Sequence, residues 1–280
     1  MSTNTQIAVL GAGYVGTAFA EAALSSGAAA SVWAMRRTPP PFANGDAVRW
    51  VQGDVRRGDV AGLPAQLDVV VLTVAPSRGT DEYESVYPPA ATAAVKVAHD
   101  AGARLLLYTS STGVYGGRDG STVTELSQRL GAGKTNAALI AAEDIVLASV
   151  SARPTVLRVS GIYGPGRDPR DRFRHPERLS MRGEYWVNLV HRDDIVAAML
   201  HTLQLPVAPR IINVSDGSPT RACDVARWLA RAEDKDADAL RFENSDAPAR
   251  NDQRVSAEAL LTTGWAPRYA SFREGFSFGL

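Results

Sequence analysis

The sequence predicts an α/β protein built on a doubly wound parallel sheet, with a small C-terminal substrate lobe. Three observations carry this. Apolar runs of strand length recur through the first half and are continuous rather than alternating, the mark of strands buried on both faces. Longer helical patterns separate them, giving the βαβ alternation of a parallel sheet. A glycine-rich turn joins the first run to the first helix.

The elements follow in order. Ile7 to Leu10 is a short apolar run, and Tyr14 to Ser26 reads as a helix. Ala29 to Ala34 is a second run, ended by Arg36, Arg37 and Pro39-Pro40-Pro41. Val48 to Gln52 is a third, followed by Gly53-Asp54, and Val69 to Val74 is a fourth. Asp81 to Ala101 reads as a helix ending at Gly102, and Arg104 to Tyr108 runs into Thr109-Ser110-Ser111. Beyond these lie a helix over Asn136 to Ser149 and a strand over Thr155 to Val159. Arg167 to Arg182, rich in Arg, Asp and Pro, reads as a surface excursion. Asp194 is expected to cap a helix running to Leu203, Arg210 to Val214 to form a strand, and Thr220 to Arg231 a helix. The dinucleotide-binding core is expected over residues 1–158, and residues 159–280 are expected to interleave the remaining core elements with the small lobe.

Composition narrows the function. Lys+Arg and Asp+Glu both number 30, so the net charge is zero, which argues against nucleic acid or a membrane surface as partner. Hydrophobic residues make up 45% and charged residues 21%, the balance of a soluble globular chain. No apolar stretch is long enough to span a bilayer, and Met1 to Gln6 lacks the basic start of a signal peptide. Cys223 is the single cysteine, so no intrachain disulfide forms and the cytoplasm is the expected compartment. A small buried side chain on a helix is favoured for it over a nucleophile. His99, His175 and His201 show no ligand spacing with one another or with Cys223, so no metal site is expected.

Gly11-Ala12-Gly13-Tyr14-Val15-Gly16 follows a strand and opens a helix. In that setting the first glycine permits the tight turn, the second lets backbone approach a pyrophosphate, and the third allows close helix–strand packing. The helix mouth then offers free N–H groups and partial positive charge to phosphates. This is the Rossmann dinucleotide fingerprint. An NAD site places a carboxylate about 20 residues further on, for the ribose 2′-hydroxyl. Here that neighbourhood reads Trp33-Ala34-Met35-Arg36-Arg37, with two guanidinium groups where a 2′-phosphate would sit. NADP is therefore favoured over NAD; the alternative is a solvated basic turn. Asp54 is a candidate adenine or ribose contact or else a plain turn residue. Val74, Ala75 and Pro76, after the fourth run, complete the expected cofactor contacts.

The fifth run and its exit, Leu105-Leu106-Leu107-Tyr108-Thr109-Ser110-Ser111-Thr112-Gly113-Val114-Tyr115-Gly116, resemble the SS-x-x-VYG signature of extended short-chain dehydrogenases/reductases, the nucleotide-sugar epimerases and dehydratases. Ile162-Tyr163-Gly164-Pro165-Gly166, Asn188-Leu189-Val190-His191-Arg192-Asp193-Asp194, Ile212-Asn213-Val214-Ser215-Asp216-Gly217 and Gly264-Trp265 agree, so the resemblance covers nearly the whole chain. It implies a Rossmann core with a small C-terminal lobe. It also implies a small-molecule substrate, and a homodimer through two helices here spanning about Asp81 to Ala101 and Asn136 to Ser149; Ala-rich helices such as these also pack on their own sheet.

Two departures matter. The glycines at 11, 13 and 16 are spaced two and three apart, where most of the family has three and three. The family's catalytic Tyr and the Lys four residues later fall, when the helix is registered through Glu143, at Thr135 and Leu139. The chain is thus similar to an atypical subgroup lacking that pair. Ser111 survives at the family's spacing, four before Tyr115. Candidates for the chemistry are Ser111 as a contact to the reacting atom, and Tyr115, Tyr163, Lys134 and His191 as proton donors. Gly133-Lys134-Thr135 is not a P-loop, because Gln128 stands where the first glycine is required. Arg167, Arg170, Arg172 and Arg174 form either an anion-binding segment or a solvated loop. The reading is an NADP-favouring oxidoreductase or epimerase/dehydratase-like enzyme with a non-standard proton donor. Its rival is a catalytically silent NADP-binding sensor or regulatory protein.

Overall fold

The computed structural model describes residues 4–40, 48–76, 82–150, 152–168, 170–174, 183–242 and 252–277. Pro41, His175, Asp81 and most of the Arg167–Arg182 segment lie outside the described residues. The elements begin β1 (Gln6–Leu10), α1 (Tyr14–Ser25), β2 (Ser31–Arg36), β3 (Val48–Gln52), β4 (Val69–Leu72), α2 (Tyr83–Asp100), β5 (Leu105–Ser111) and β6 (Arg118–Val123). They continue with α3 (Lys134–Leu147), β7 (Arg153–Val159), β8 (Gly161–Tyr163), α4 (Arg170–Arg174), β9 (Trp186–Val187), β10 (Leu189–His191), α5 (Arg192–Gln204) and β11 (Ile211–Val214). The last are β12 (Thr220–Arg221), α6 (Ala222–Ala232), β13 (Asp252–Val255), α7 (Glu258–Leu261) and α8 (Phe272–Ser277).

A seven-stranded sheet runs in the order β11-β7-β5-β4-β1-β2-β3, and its pairs β3–β2, β2–β1, β1–β4 and β4–β5 are parallel. This is the doubly wound Rossmann architecture. Strand order reverses between β1 and β4, the switch point beyond whose carboxyl ends such sheets bind ligands. No helix among the described residues is long and apolar enough to cross a membrane. The chain forms two compact units. One comprises Met1–Ser111, Ala132–Arg158 and Val196–Ile212; the other comprises Thr112–Gly131, Val159–Ile195 and Asn213–Leu280. Neither is continuous in sequence.

In the first unit every residue of β4 is buried, as are Ile7, Ala8, Val9 and Leu10 of β1. That is the packing expected of strands covered on both faces. β2 begins two residues later than the run Ala29–Ala34, because Ala29 and Ala30 turn back to Ala23 and Thr5 and pairing starts at Gln6↔Ser31. Arg36 is in consequence the last residue of the strand. β5 runs on to Ser111, and its buried end holds a charged cluster. Glu143 of α3 and Arg158 of β7 are 0% and 2% exposed and form an ion pair at 2.8 Å. Ser110 Oγ donates to Glu143 Oε1 at 2.7 Å. Arg158 Nε also donates to the carboxylate.

The second unit has its own aromatic core, in which Tyr163, Phe173, Tyr185, Phe272 and Phe276 are buried with the apolar face of α6. Asp194 corrects the expected capping role: α5 starts at Arg192, and Asp194 sits inside its first turn. Its carboxylate accepts the amides of Arg268 and Tyr269 at 2.7 and 3.1 Å. Nearby, Asp216 accepts the Ser218 amide at 2.9 Å. Burial pushes the Asp216 carboxyl up to about 8, and the Asp194 and Glu274 charges add to the effect.

Two tests of this packing follow from the buried charges. Glu143→Leu is expected to cost about 3–5 kcal/mol in urea unfolding, because it strands the Arg158 guanidinium. Glu143→Leu/Arg158→Met is expected to recover most of that loss, and a single-variant loss under about 1 kcal/mol would contradict the assignment. For Asp216, the folded carboxyl keeps its proton up to about 8, whereas the unfolded one releases it near 4. The folded state therefore binds more protons in that window, and stability falls as pH rises. Burial lowers His191 below 6.5, which has the opposite sign but acts only below that value. Between about 6.5 and 8 the unfolding free energy should decline on the order of 1 kcal/mol per pH unit, and Asp216→Asn should flatten the slope.

Candidate functional site

The carboxyl ends of β1, β2 and β4 build the glycine loop. Gly11 has φ +85°, and a Cβ there would stand 2.6 Å from Val74 Cγ1, so the turn admits only glycine. A Cβ on Gly16 would meet Thr73 Oγ1 at 2.4 Å, which explains the close approach of α1 to the strand. Gly13 differs from both. It is exposed, and a Cβ there would find only the Gly11 carbonyl, at 3.8 Å. The space around this position leaves room for a Cβ, room that a phosphate pressed against the backbone would take. The loop is braced from two sides: Gly11 and Ala12 donate to the Met35 carbonyl at 3.0 and 2.8 Å, and Thr73 Oγ1 donates to the Gly11 carbonyl at 2.9 Å. Tyr14 and Val15, half-buried, open α1, whose first turn carries no acidic side chain to compete with an anion. Val74 and Pro76 are half-buried and Ala75 exposed beside this mouth. These residues fit a dinucleotide diphosphate.

Arg36 ends β2, opposite Gln52 of β3, and Arg37 follows it into solvent. Among the described residues neither has a carboxylate within ion-pair distance. Asp54 does not face this space unengaged. It caps a short 3-10 turn, Val55–Arg57, accepting the Arg56 amide at 3.1 Å and the Arg56 guanidinium at 2.6 Å. The Arg56 hydrogen bond holds the Asp54 carboxyl below its usual range, and the Arg37 charge contributes in the same direction. Of the two roles open to Asp54, the turn is the one the geometry displays.

The catalytic candidates divide between the units. In the first unit, Ser111 closes β5, half-buried, and strand alternation turns it away from Ser110 and the Glu143 cluster. Lys134, at the start of α3, is exposed. Thr135 is half-buried, and Leu139 and Glu143 are buried; at spacings of four they share one face of α3. In the second unit, Tyr115 is 1% exposed and its hydroxyl donates to Asn213 Oδ1 at 2.6 Å. Tyr163 and His191 are brought together, with ring centroids 5.2 Å apart in an edge-on contact. Both are buried. Burial, reinforced by the Asp216 and Asp194 charges, drives the Tyr163 hydroxyl well above the ordinary tyrosine range. Burial keeps His191 neutral, with Nδ1 accepting the Asp193 amide at 3.2 Å. These three side chains are packed as core groups.

Of the arginine run, Arg170 pairs with Asp168 at 2.7 Å and Arg174 with Glu233 at 2.5 Å, so these two are already neutralised. Sequence reasoning used Glu143 only as a register mark and missed its pairing with Arg158. A partial signal was available in Arg158, a lone charge inside the apolar stretch Leu157-Arg158-Val159; Glu143 is masked in sequence by the adjacent Asp144.

Residues 7–215 match the family model described as the NAD dependent epimerase/dehydratase family. Protein YeeZ of Escherichia coli strain K12 is 32% identical over 147 residues, 52% of either chain. The chain thus spans about half the length of the curated relatives it matches. A solved structure of an NAD-dependent epimerase/dehydratase from Methylobacillus flagellatus is 26% identical, with 98% of this chain and 96% of that one covered at a TM-score of 0.78. DesIV, the dTDP-glucose 4,6-dehydratase of Streptomyces venezuelae with NAD and TYD bound, is 19% identical, with 98% and 95% covered at a TM-score of 0.79. The matched residues take in the glycine loop, the end of β2 and the exit of β5. The chain belongs to the NAD dependent epimerase/dehydratase family.

Proposed function

We propose that the protein is an oxidoreductase or epimerase/dehydratase-like enzyme that takes NADPH in preference to NADH and uses a proton donor other than the family's tyrosine. The observation that carries the cofactor preference is the pair Arg36–Arg37 at the end of β2, without a carboxylate partner among the described residues and without an acidic residue where a ribose 2′-hydroxyl would be held. A guanidinium fork matches phosphate geometry and its charge favours the extra anion. The nicotinamide supplies or accepts hydride when bound. The chain's own residues do the rest. The Gly11–Gly16 loop and the first turn of α1 hold the diphosphate, and Ser111 holds the reacting oxygen or nitrogen.

The packing of Tyr115, Tyr163 and His191 argues against each as the donor and leaves Ser111, Lys134, water or the substrate itself for the proton. The proposed substrate is an anionic small molecule, a class to which the dTDP-glucose of DesIV belongs. A buried lone Cys223 supports placing the protein in the cytoplasm. A second reading, a silent NADP-binding sensor, is favoured by Thr135 and Leu139 at the positions of the missing Tyr and Lys.

Three measurements decide these points. Arg36→Ala should weaken NADPH binding about 10-fold or more and NADH binding less than about 2-fold; an equal effect on both overturns the preference. Gly13→Ala should leave the melting temperature in place and weaken both cofactors about 10-fold or more, whereas Gly11→Ala should destabilise the fold. A screen of carbonyl and imine substrates by loss of reduced-nicotinamide absorbance tests catalysis. Turnover should fall about 10-fold or more in Ser111→Ala. Turnover unchanged in that variant would remove Ser111 from the mechanism, and cofactor binding without any turnover would select the sensor.

A further inference from the structure

At the carboxyl ends of β2 and β3 an acidic side chain stands beside the two arginines. Gly53, leaving β3, donates its amide to the Arg36 carbonyl at 3.2 Å, so Asp54 follows next to Arg36 and Arg37. The Arg56 hydrogen bond, and to a lesser degree the Arg37 charge, hold the Asp54 carboxyl below its usual range, so it is ionised at neutral pH. A free carboxylate here would oppose a 2′-phosphate twice. It would compete for Arg37 and repel the phosphate directly. Arg56 engages both of its oxygens. Nε donates to Oδ1 at 2.9 Å and Nη2 to Oδ2 at 2.6 Å, the paired bonds of a guanidinium fork, and the Arg56 amide donates to Oδ1 at 3.1 Å. The remaining nitrogen, Nη1, faces Glu82 at 3.8 Å. Arg57 is 82% exposed and stands off from Asp54 at 4.0 Å, a distance and exposure at which water and salt screen its charge.

We infer that Arg56 is a specificity-determining residue for the cofactor: by clamping Asp54 it leaves Arg36 and Arg37 open to a 2′-phosphate, without touching the phosphate itself. The inference rests on the NADPH preference proposed above. Geometry and charge both bear on it. The clamp lies within one turn, which the amides of Arg57 and Asp59 close on the Asp54 carbonyl at 2.9 and 3.2 Å. It is therefore set by local structure and is in place before any ligand arrives. Arg36 and Arg37, by contrast, have no carboxylate within ion-pair distance among the described residues. Loss of the Arg56 side chain would remove one positive charge and at the same time release a negative one beside Arg37. Discrimination between two cofactors that differ by one phosphate is sensitive to such a change, because an unpaired like charge penalises only the ligand that carries the extra anion.

The test is fluorescence titration of the full chain with NADPH and with NADH. Arg56→Gln should weaken NADPH about 5-fold or more and NADH less than about 2-fold, since an unclamped Asp54 then faces the 2′-phosphate. Retained NADH binding also shows that this variant is folded. Arg56→Gln/Asp54→Asn removes clamp and carboxylate together and should bind NADPH within about 2-fold of the wild type. Asp54→Asn alone keeps an oxygen for the Arg56 amide and should bind NADPH at least as tightly as the wild type. An Arg56→Gln variant that keeps its NADPH affinity, or loses both cofactors alike, overturns the inference. So does a double variant as weak as Arg56→Gln, because Arg56 would then hold the phosphate itself, and so does a loss of NADPH binding in Asp54→Asn. Arg36→Ala separates the clamp from the reading beneath it. A selective NADPH loss there with none in Arg56→Gln removes the clamp alone, whereas no selective loss in either variant removes the NADPH preference and the clamp with it.

Discussion

The amides of Gly11 and Ala12 both donate to the carbonyl of Met35, at 3.0 and 2.8 Å. This one acceptor ties the turn after β1 to the end of β2, so the glycine loop and Arg36 are held on a common frame. Thr73 completes the brace from β4 by donating to the Gly11 carbonyl. Because each strand is buried among its neighbours, small displacements of the loop are resisted by the sheet itself.

The missing Tyr/Lys pair gains meaning from α3. The helix keeps the register that would place those residues toward the sheet, and Glu143 fixes that register through Ser110 and Arg158. Leu139 is buried and Thr135 half-buried on the face of α3 that carries Glu143, so neither position presents an ionisable group there.

Much of this was legible in the sequence because it is periodic or local. Val69–Leu72 reads as a doubly buried strand from its composition, and Gly11, Gly13 and Gly16 sit where strand, turn and helix succeed one another. Boundaries slipped where residues lack a strong preference: Ala29 and Ala30 look apolar but carry no strand propensity, and turn-closing hydrogen bonds claim them. What stayed hidden was non-local. Nothing near Asp194 in sequence signals that its carboxylate receives the amides of Arg268 and Tyr269. Asp216 likewise reads as a turn residue, and only tertiary burial raises its carboxyl. The hydrogen bond from the Tyr115 hydroxyl to Asn213 is also made with a residue nearly a hundred positions away.

That grip of Asp194 on residues 268–269 bears on how the polypeptide matures as it leaves the ribosome. The first unit already has its last segment once Ile212 has been made, whereas the second draws on Thr112–Gly131, Val159–Ile195 and the stretch after Asn213. Asp194 and the aromatic core of that unit must therefore wait, hydrated and unpacked, until Tyr269 and Phe276 emerge. Domains tend to fold in the order of their synthesis. In this chain the order leaves a half-built lobe tethered to a finished one, and a nascent chain stalled between those points would be the form most in need of a chaperone.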